Sequence, residues 1–368
     1  MEKRELVVFD IESTPNSFLV GFKSIVKGKV LQYQAYGEDA RLSAVDIAKI
    51  KKILSSYTVI GFNSEKYDIP TLLFAMYGKT CKQIFKVGNE IIENAKPQWM
   101  SLRDFGVELP AYLSHIDISE VAKGVMISLK MYGARLHSKK LQDLPYEPTA
   151  ILTPEQFEEV RLYNINDLDT TIDLYNVIIG DVELRFKLTD KYCINLMSKS
   201  DAQMAEAILV DSLKKAGVKV DTVKLPKGYT FKYELPKDRV KFKREDLQQL
   251  LVDIQKHDFV LDNNGSPLLP DWIKKLVIKI GDSSYNMGLG GLHSMEKKQV
   301  IIPPEGYVLR NVDVASYYPS MIISNNFYPK NFGKKFLDVY SAIKTERLHS
   351  KNMVSKISKE IKHLKSLL

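Results

Sequence analysis

Apolar positions along the chain alternate in some stretches and recur at helical spacing in others, and the two textures interleave. The first run, Leu6 to Phe9, is rich in branched side chains and ends on Asp10 and Glu12. This predicts a buried strand with both acids on one face, because alternate strand residues share a side. Phe18-Leu-Val-Gly-Phe, Lys29-Val-Leu-Gln-Tyr and Thr58-Val-Ile-Gly-Phe predict further strands, while Ala44 to Leu54 and Thr71 to Met76 have helical spacing. Thr153-Pro154 predicts a helix start, with threonine as cap and proline in the first turn. Residues 118–141 carry helical stretches that end before an Asp143-Leu-Pro145 turn, and Phe186 to Leu213 predicts one or two amphipathic helices with a cap at Ser198-Lys-Ser-Asp. Strands and helices mixed in this way predict an α/β or mixed α+β fold.

From Ala216 to Asp282 the texture changes. Lys219, Lys224, Lys227, Lys232, Lys237, Lys241 and Lys243 alternate with apolar residues, which predicts a small mixed connector. Its basic strands fit either a nucleic-acid backbone or a solvated face. Asp262-Asn-Asn-Gly265 predicts a turn, and the Gly290-Gly291 pair predicts a hinge or a close backbone approach. Tyr307 to Val314 predicts a strand that turns into a helical Met321-Ile-Ile. Ser341 to Leu368 is helical, with Ile343, Leu348, Met353, Ile357, Ile361, Leu364 and Leu368 on one apolar face.

The length of 368 residues implies two or three domains, and 45% hydrophobic with 27% charged residues is the balance of a soluble globular protein. No apolar run approaches a membrane span, and Met1-Glu-Lys-Arg-Glu lacks the core of a signal peptide, so a cytoplasmic location is expected. Cys81 and Cys193 are too few for a disulfide framework or zinc site. The net charge of +8, concentrated after Lys334, is compatible with a polyanionic partner.

Candidate chemistry lies first in the acids. Asp10 and Glu12 on one buried face repel each other and suit an interposed hard cation, Mg²⁺ or Mn²⁺, as well as a solvated strand end. Asp68, in Asn63-Ser-Glu-Lys-Tyr67-Asp68-Ile-Pro70, stands at a strand-to-helix junction as either an N-cap or a ligand. Tyr163 and Asp167, four apart, share a helix face; Asp169 points elsewhere, and Asp117 reads as structural. Phe62 reads as core before wedge. An Asp-x-Glu strand, an Asn-x-Glu-x-Tyr-Asp junction and a helical Tyr-x-x-x-Asp in that order resemble the DEDDy 3′–5′ exonucleases found as proofreading domains of DNA polymerases. The resemblance implies a ribonuclease H-like fold: a central mixed sheet flanked by helices, in which Asp10, Glu12, Asp68 and Asp167 hold two Mg²⁺ or Mn²⁺ ions. It further implies that Tyr163 orients the attacking water and that Asn63 helps hold the unpaired 3′ strand. Phosphodiester hydrolysis suits such a set, since paired divalent ions activate water and stabilise the leaving oxygen without a protein nucleophile.

Asn311-Val-Asp313-Val-Ala-Ser316-Tyr317-Tyr318-Pro319-Ser320 resembles the first palm motif of family B DNA polymerases, with Tyr317 in place of the usual leucine. That resemblance implies that Asp313 ligates metal, that the backbone at Ser316 and Tyr317 cradles a triphosphate, and that Tyr318 lies beneath the incoming sugar and favours dNTP. Tyr285 with Gly290 and Gly291 is similar to the family's tyrosine-glycine-glycine loop, expected to touch DNA. Arg347, Lys351 and Lys365 are similar to its fingers cations and are expected to meet the nucleotide. A soluble basic helix or coiled-coil seam is the alternative for that last stretch. No second palm motif of D-T-D type is present, which implies a truncated chain or a natural split, with a second polypeptide completing palm, fingers and thumb.

The expected organisation is an exonuclease domain over residues 1–185, a connector over 186–300, the start of a palm over 301–340 and an incomplete fingers helix over 341–368. The expected function is that of the N-terminal part of a compact, phage-like family B polymerase in the host cytoplasm, acting on a primer-template and single-stranded 3′ ends. A non-catalytic DNA-binding assembly subunit and a stand-alone 3′–5′ exonuclease, including one that processes RNA, are the alternatives.

Overall fold

The computed structural model describes residues 4–122, 127–221, 225–226, 228–234, 241–263 and 265–367. Lys224, Lys227 and Lys237 of the basic run, Asn264 of the predicted turn, the opening Met1-Glu-Lys and the terminal Leu368 lie outside the described residues. The chain forms two compact units that divide between Ala216 and Gly217.

The first unit is built on β1 (Leu6–Thr14), β2 (Ser17–Ser24), β3 (Val30–Tyr36), α1 (Ala44–Ser56), β4 (Thr58–Gly61), α2 (Asp68–Met76), α3 (Cys81–Asn94) and α4 (Gln98–Phe105). It continues through β5 (Ser114–Asp117), α5 (Ile118–Val121), α6 (Leu129–Leu136), α7 (Pro154–Tyr192) and α8 (Asp201–Lys215). The strands form one mixed sheet in the order β3-β2-β1-β4-β5. β1 is antiparallel to β2 and parallel to β4, and β4 is parallel to β5.

Strand periodicity sorts β1 between two cores. Val7, Phe9 and Ile11 face a cluster that includes Ile50 of α1, Leu72 of α2 and Ile84 of α3. Val8 faces the opposite cluster, which includes Leu168, Leu174 and Val182 of α7. Asp10 and Glu12 continue the Val8 side and so meet α7. The strand does not end at the acids, as the sequence suggests; it runs on to Thr14 because Asp10 to Thr14 stay paired with β2.

Helix α7 starts as expected, with a capping box between Thr153 and Gln156 and Pro154 in its first turn. It then runs unbroken across the expected boundary at 185. The fully buried Arg185 explains this: its guanidinium donates to Asp181 O at 2.9 Å, Lys199 O at 2.8 Å and Asp201 Oδ1 at 3.0 Å. These bonds tie the end of α7 to α8, whose own cap is Ser200.

The second unit holds β6 (Thr230–Phe231), α9 (Glu245–Lys256), β7 (Phe259–Val260), α10 (Asp271–Lys274), β8 (Val277–Ile280), β9 (Ser283–Gly288), β10 (Gly291–Ser294), α11 (Tyr317–Ser324) and α12 (Lys335–Leu367). β8, β9 and β10 form a meander, and β6 pairs with β7. Leu289-Gly290 is the two-residue turn of the β9-β10 hairpin, and Gly291, at φ +135°, opens β10 paired with Gly288, so the glycine pair closes a hairpin. The expected strand at 307–314 is not formed. No described segment pairs with its backbone, and Val308 and Val312 stay 78% and 85% exposed. No described helix is long and apolar enough to cross a membrane.

Candidate metal centre

Where β4 stops, β1 loses its parallel neighbour. Pairing between them ends at Val8 and Ile60, which leaves the β4-side backbone of residues 10–12 without a strand partner. Asp68 fills part of that gap by accepting a hydrogen bond from the Ile11 N–H. Asp68 is the first residue of α2, and the helix has no side-chain cap bond. The N-cap reading of Asp68 is therefore set aside by the structure.

Asp10, Glu12 and Asp167 each offer an oxygen within 4.8 Å of the others. Asp68 stands outside this tight set, yet its charge acts on both Asp10 and Glu12. Burial first, and then the neighbouring acids, push the Asp10 and Glu12 carboxyls well above the usual range. Burial and the Asp117 charge push Asp68 up to about 8, and burial pushes Asp167 up to about 6. Among the described residues, the influences that oppose this on the four are hydrogen bonds, with no lysine or arginine charge among them. A set of buried, oxygen-only acids without a countercharge fits hard divalent cations.

Tyr163 lies one helical turn before Asp167 and hydrogen-bonds it, and burial raises its phenol so that it stays protonated. Asp169 points away, as expected, and pairs with Lys23. Asp117 is structural, also as expected: it accepts from Asn63 N and Glu65 N, each at 2.9 Å, and from Ser119 N at 3.0 Å and Ser119 Oγ at 2.7 Å. These bonds fix the loop after β4 and hold Asn63 at φ 56°. Below the loop, Ser64 Oγ meets His115 Nε2 at 2.8 Å, and burial lowers that imidazole to about 3, so it is neutral.

A cleft of about 640 Å³ opens beside the acids, lined by Asp10, Asp68, Asn63, Phe62, Tyr67 and Leu129, among others. Phe62 is a core residue, as expected, at the edge of the cleft. It packs against the α7-side core, with an edge-to-face contact to Tyr132 at 5.9 Å, and it also lines the cleft.

Two residues of the centre carry no sign of it in the sequence reading. Asn164 is fully buried, and its Nδ2 donates to Asp10 Oδ2 at 2.9 Å. Gly21 lies directly across from Asp10 on β2, and a Cβ there would come 2.1 Å from Asn164 Oδ1. One signal was available: Asn164 is a polar residue within the buried stripe Phe157, Val160, Leu168 of α7.

In the second unit the palm-like residues gather in part. Ser316, at φ 52°, precedes α11, and its Oγ accepts from Arg347 Nη1 at 3.0 Å. Lys344, not anticipated, donates to Ser320 Oγ at 2.9 Å. The Tyr318 hydroxyl donates to Gly290 O, and its ring lies 5.5 Å from that of Tyr317. Tyr285 is half-buried on β9. Asp313 is exposed and joins no group of three potential ligands among the described residues. Lys351 and Lys365 are exposed on α12, with no bond to Ser316 or Ser320 among the described residues.

No protein-family model matches the chain, and comparison with curated proteins finds no match.

Proposed function

We propose that the first unit is a ribonuclease H-like, two-metal 3′–5′ exodeoxyribonuclease of the DEDDy type, and that the chain is the N-terminal part or subunit of a family B DNA-directed DNA polymerase. The observation that carries the nuclease reading is the convergence of Asp10, Glu12 and Asp167 within 4.8 Å, with Asp68 acting electrostatically on Asp10 and Glu12.

Asp10, Glu12, Asp68 and Asp167 would hold the cations, Mg²⁺ or Mn²⁺, which supply the positive charge and the activated water that phosphodiester hydrolysis needs. The chain's own groups supply the rest. Tyr163, kept protonated and hydrogen-bonded to Asp167, offers a fixed phenol to orient the attacking water. The cleft past Asn63 and Phe62 is open to an unpaired 3′ end, and Asp117 holds that loop in shape. Carboxylates as the only charged ligands make the site dependent on added metal.

The test is degradation of a 5′-labelled single strand in Mg²⁺ or Mn²⁺ by wild type and by Asp10→Ala/Glu12→Ala. We expect a loss of several orders of magnitude in the double variant. Undiminished degradation by that variant would refute the reading.

Polymerisation is proposed only with a further polypeptide segment that supplies acids to stand beside Asp313, which joins no such group here. Ser316, Arg347, Lys344 and Ser320 form a basic and hydroxyl-bearing start to α11 that supports triphosphate binding in such a complex. A second reading, a DNA-binding assembly subunit without catalysis, is favoured by the exposed apolar and basic surface of α12. Salt-sensitive DNA binding without metal-dependent cleavage would select it.

A further inference from the structure

A buried amide is unusual in what it demands: two donors and an acceptor need partners, and the partners fix which way it points. Asn164 makes two contacts of opposite kind, one for its oxygen and one for its nitrogen. Its Oδ1 accepts from Gln32 Nε2 at 3.1 Å, and its Nδ2 donates to Asp10 Oδ2 at 2.9 Å. Gln32 is fixed in turn. Its Nε2 also donates to Arg161 O at 2.9 Å, and its Oε1 accepts from Arg161 Nη2 at 3.3 Å. Turning the Gln32 amide over would set oxygen against Asn164 Oδ1 and Arg161 O. Turning Asn164 over would set its oxygen against the Asp10 carboxylate. From the Arg161 guanidinium through Gln32 and Asn164 one continuous run of donors leads to Asp10, so each link reinforces the next.

Room for the amide is made on the sheet. Gly21 pairs with Asp10, and a methyl group there would collide with Asn164 Oδ1 at 2.1 Å and with Leu168 Cδ1 at 2.9 Å. A glycine in mid-strand weakens a sheet, so its use here calls for a reason, and the close approach of α7 supplies one.

We infer that Asn164 is a positioning residue for the metal centre: locked by Gln32 and admitted by Gly21, its amide commits one oxygen of Asp10 and sets the rotation in which that carboxylate faces Glu12 and Asp167. The inference rests on the metal-centre reading above. Groups that orient a ligating side chain in this way alter metal affinity even though they never touch the ion. A purely structural staple between α7 and the sheet would alter stability alone.

The experiment measures Mn²⁺ binding to the full chain by calorimetry, with the metal-free melting temperature recorded for each variant and Mn²⁺ titrated in the single-strand hydrolysis assay. The variants are Asn164→Ala and Gln32→Glu; the second leaves Asn164 and the buried interface in place if the first does not fold. The expected result is a Kd for Mn²⁺ raised on the order of tenfold or more in both, with hydrolysis by Gln32→Glu recovering at high Mn²⁺ and its KM for DNA unchanged. Folded variants that bind Mn²⁺ within about twofold of wild type would overturn the inference and leave the nuclease reading intact. Wild type that binds Mn²⁺ without degrading DNA would fail the nuclease reading while the same Kd values still decide the role of Asn164. Wild type that binds no Mn²⁺ would remove both.

Discussion

The carboxylate of Asp68 draws on two backbone N–H groups, its own at the start of α2 and that of Ile11, the residue between Asp10 and Glu12. A side chain from the start of α2 thus completes the edge of β1 that β4 leaves unpaired, and the acid arrives at the centre through a backbone contact. Its own N–H, left over at the start of α2, favours the carboxylate as well, so its position draws on the end of β4 and on the helix start together.

This arrangement gives the metal-free protein a defined pH dependence. Asp68 is pushed up to about 8 and Asp167 up to about 6, against an unfolded aspartate near 4. Above pH 4 these acids, with Asp10 and Glu12, keep protons in the native state that the unfolded chain has lost; they outnumber the single proton that His115 gives up on folding below about pH 6.5, so stability falls as pH rises from about 4 toward 8. In EDTA the melting temperature should drop across that window, and Mn²⁺ should restore more of it at pH 8 than at pH 5. Asp68→Asn should raise the metal-free stability at pH 8 by about 2 kcal/mol while abolishing most hydrolysis. A melting temperature in EDTA that stays level or climbs from pH 5 to 8 would show that the acids are not held together in the folded state.

Tyr163→Phe separates water orientation from metal holding. The ring stays in its half-buried place, and only the hydroxyl that meets Asp167 is removed. The turnover number should fall by about 10²- to 10³-fold with Mn²⁺ affinity nearly unchanged, as measured by single-turnover hydrolysis beside calorimetry. A matching loss of Mn²⁺ affinity would place the phenol in the ligand set instead.

The parts of this site that could be read from sequence are those set by local pattern. The alternation through Leu6 to Phe9 puts Asp10 and Glu12 on one face, and the i, i+4 spacing of Tyr163 and Asp167 puts both on one side of α7. Asp68 stayed open between cap and ligand because the choice depends on where β4 ends relative to β1. Asn164 and Gly21 were missed for a similar reason: each has meaning only once α7 lies across β2. The stretch 307–314 shows the converse. Its strand-like composition is genuine, but a strand also needs a partner for its backbone groups, which no described segment provides.

Asp117 should hold the substrate loop in shape, while its charge, which raises Asp68, works against metal binding. Its carboxylate satisfies the N–H groups of Asn63 and Glu65 together with both donors of Ser119. Asp117→Ala leaves those donors unpaired, at a cost of about 1–3 kcal/mol for each that water does not reach. The loop bearing Asn63 should loosen, with a KM for single-stranded DNA raised about tenfold, while Mn²⁺ should bind no more weakly than in wild type, since loss of the Asp117 charge eases the ionisation of Asp68. Unchanged KM in a folded Asp117→Ala protein would remove the loop from the substrate path.

Arg185 decides where the first unit ends. A buried guanidinium is tolerated only when its donors are met, and two of its three partners, Lys199 O and Asp201 Oδ1, lie beyond residue 185. A fragment cut at residue 185 loses both acceptors and the rest of α7, whereas one cut at Ala216 keeps them. The longer fragment should melt cooperatively and retain metal-dependent hydrolysis; the shorter should be largely unfolded by circular dichroism. In the full chain, Arg185→Ala should cost about 3–5 kcal/mol of stability, since it takes the side-chain donors away from Lys199 O and the Asp201 carboxylate and opens a large cavity. Hydrolysis below the melting transition should be retained, because none of these contacts reaches Asp10, Glu12, Asp68 or Asp167. A shorter fragment that folds and cleaves as well as the longer one would move the boundary back to the end of the nuclease motifs and reduce α8 to an appendage.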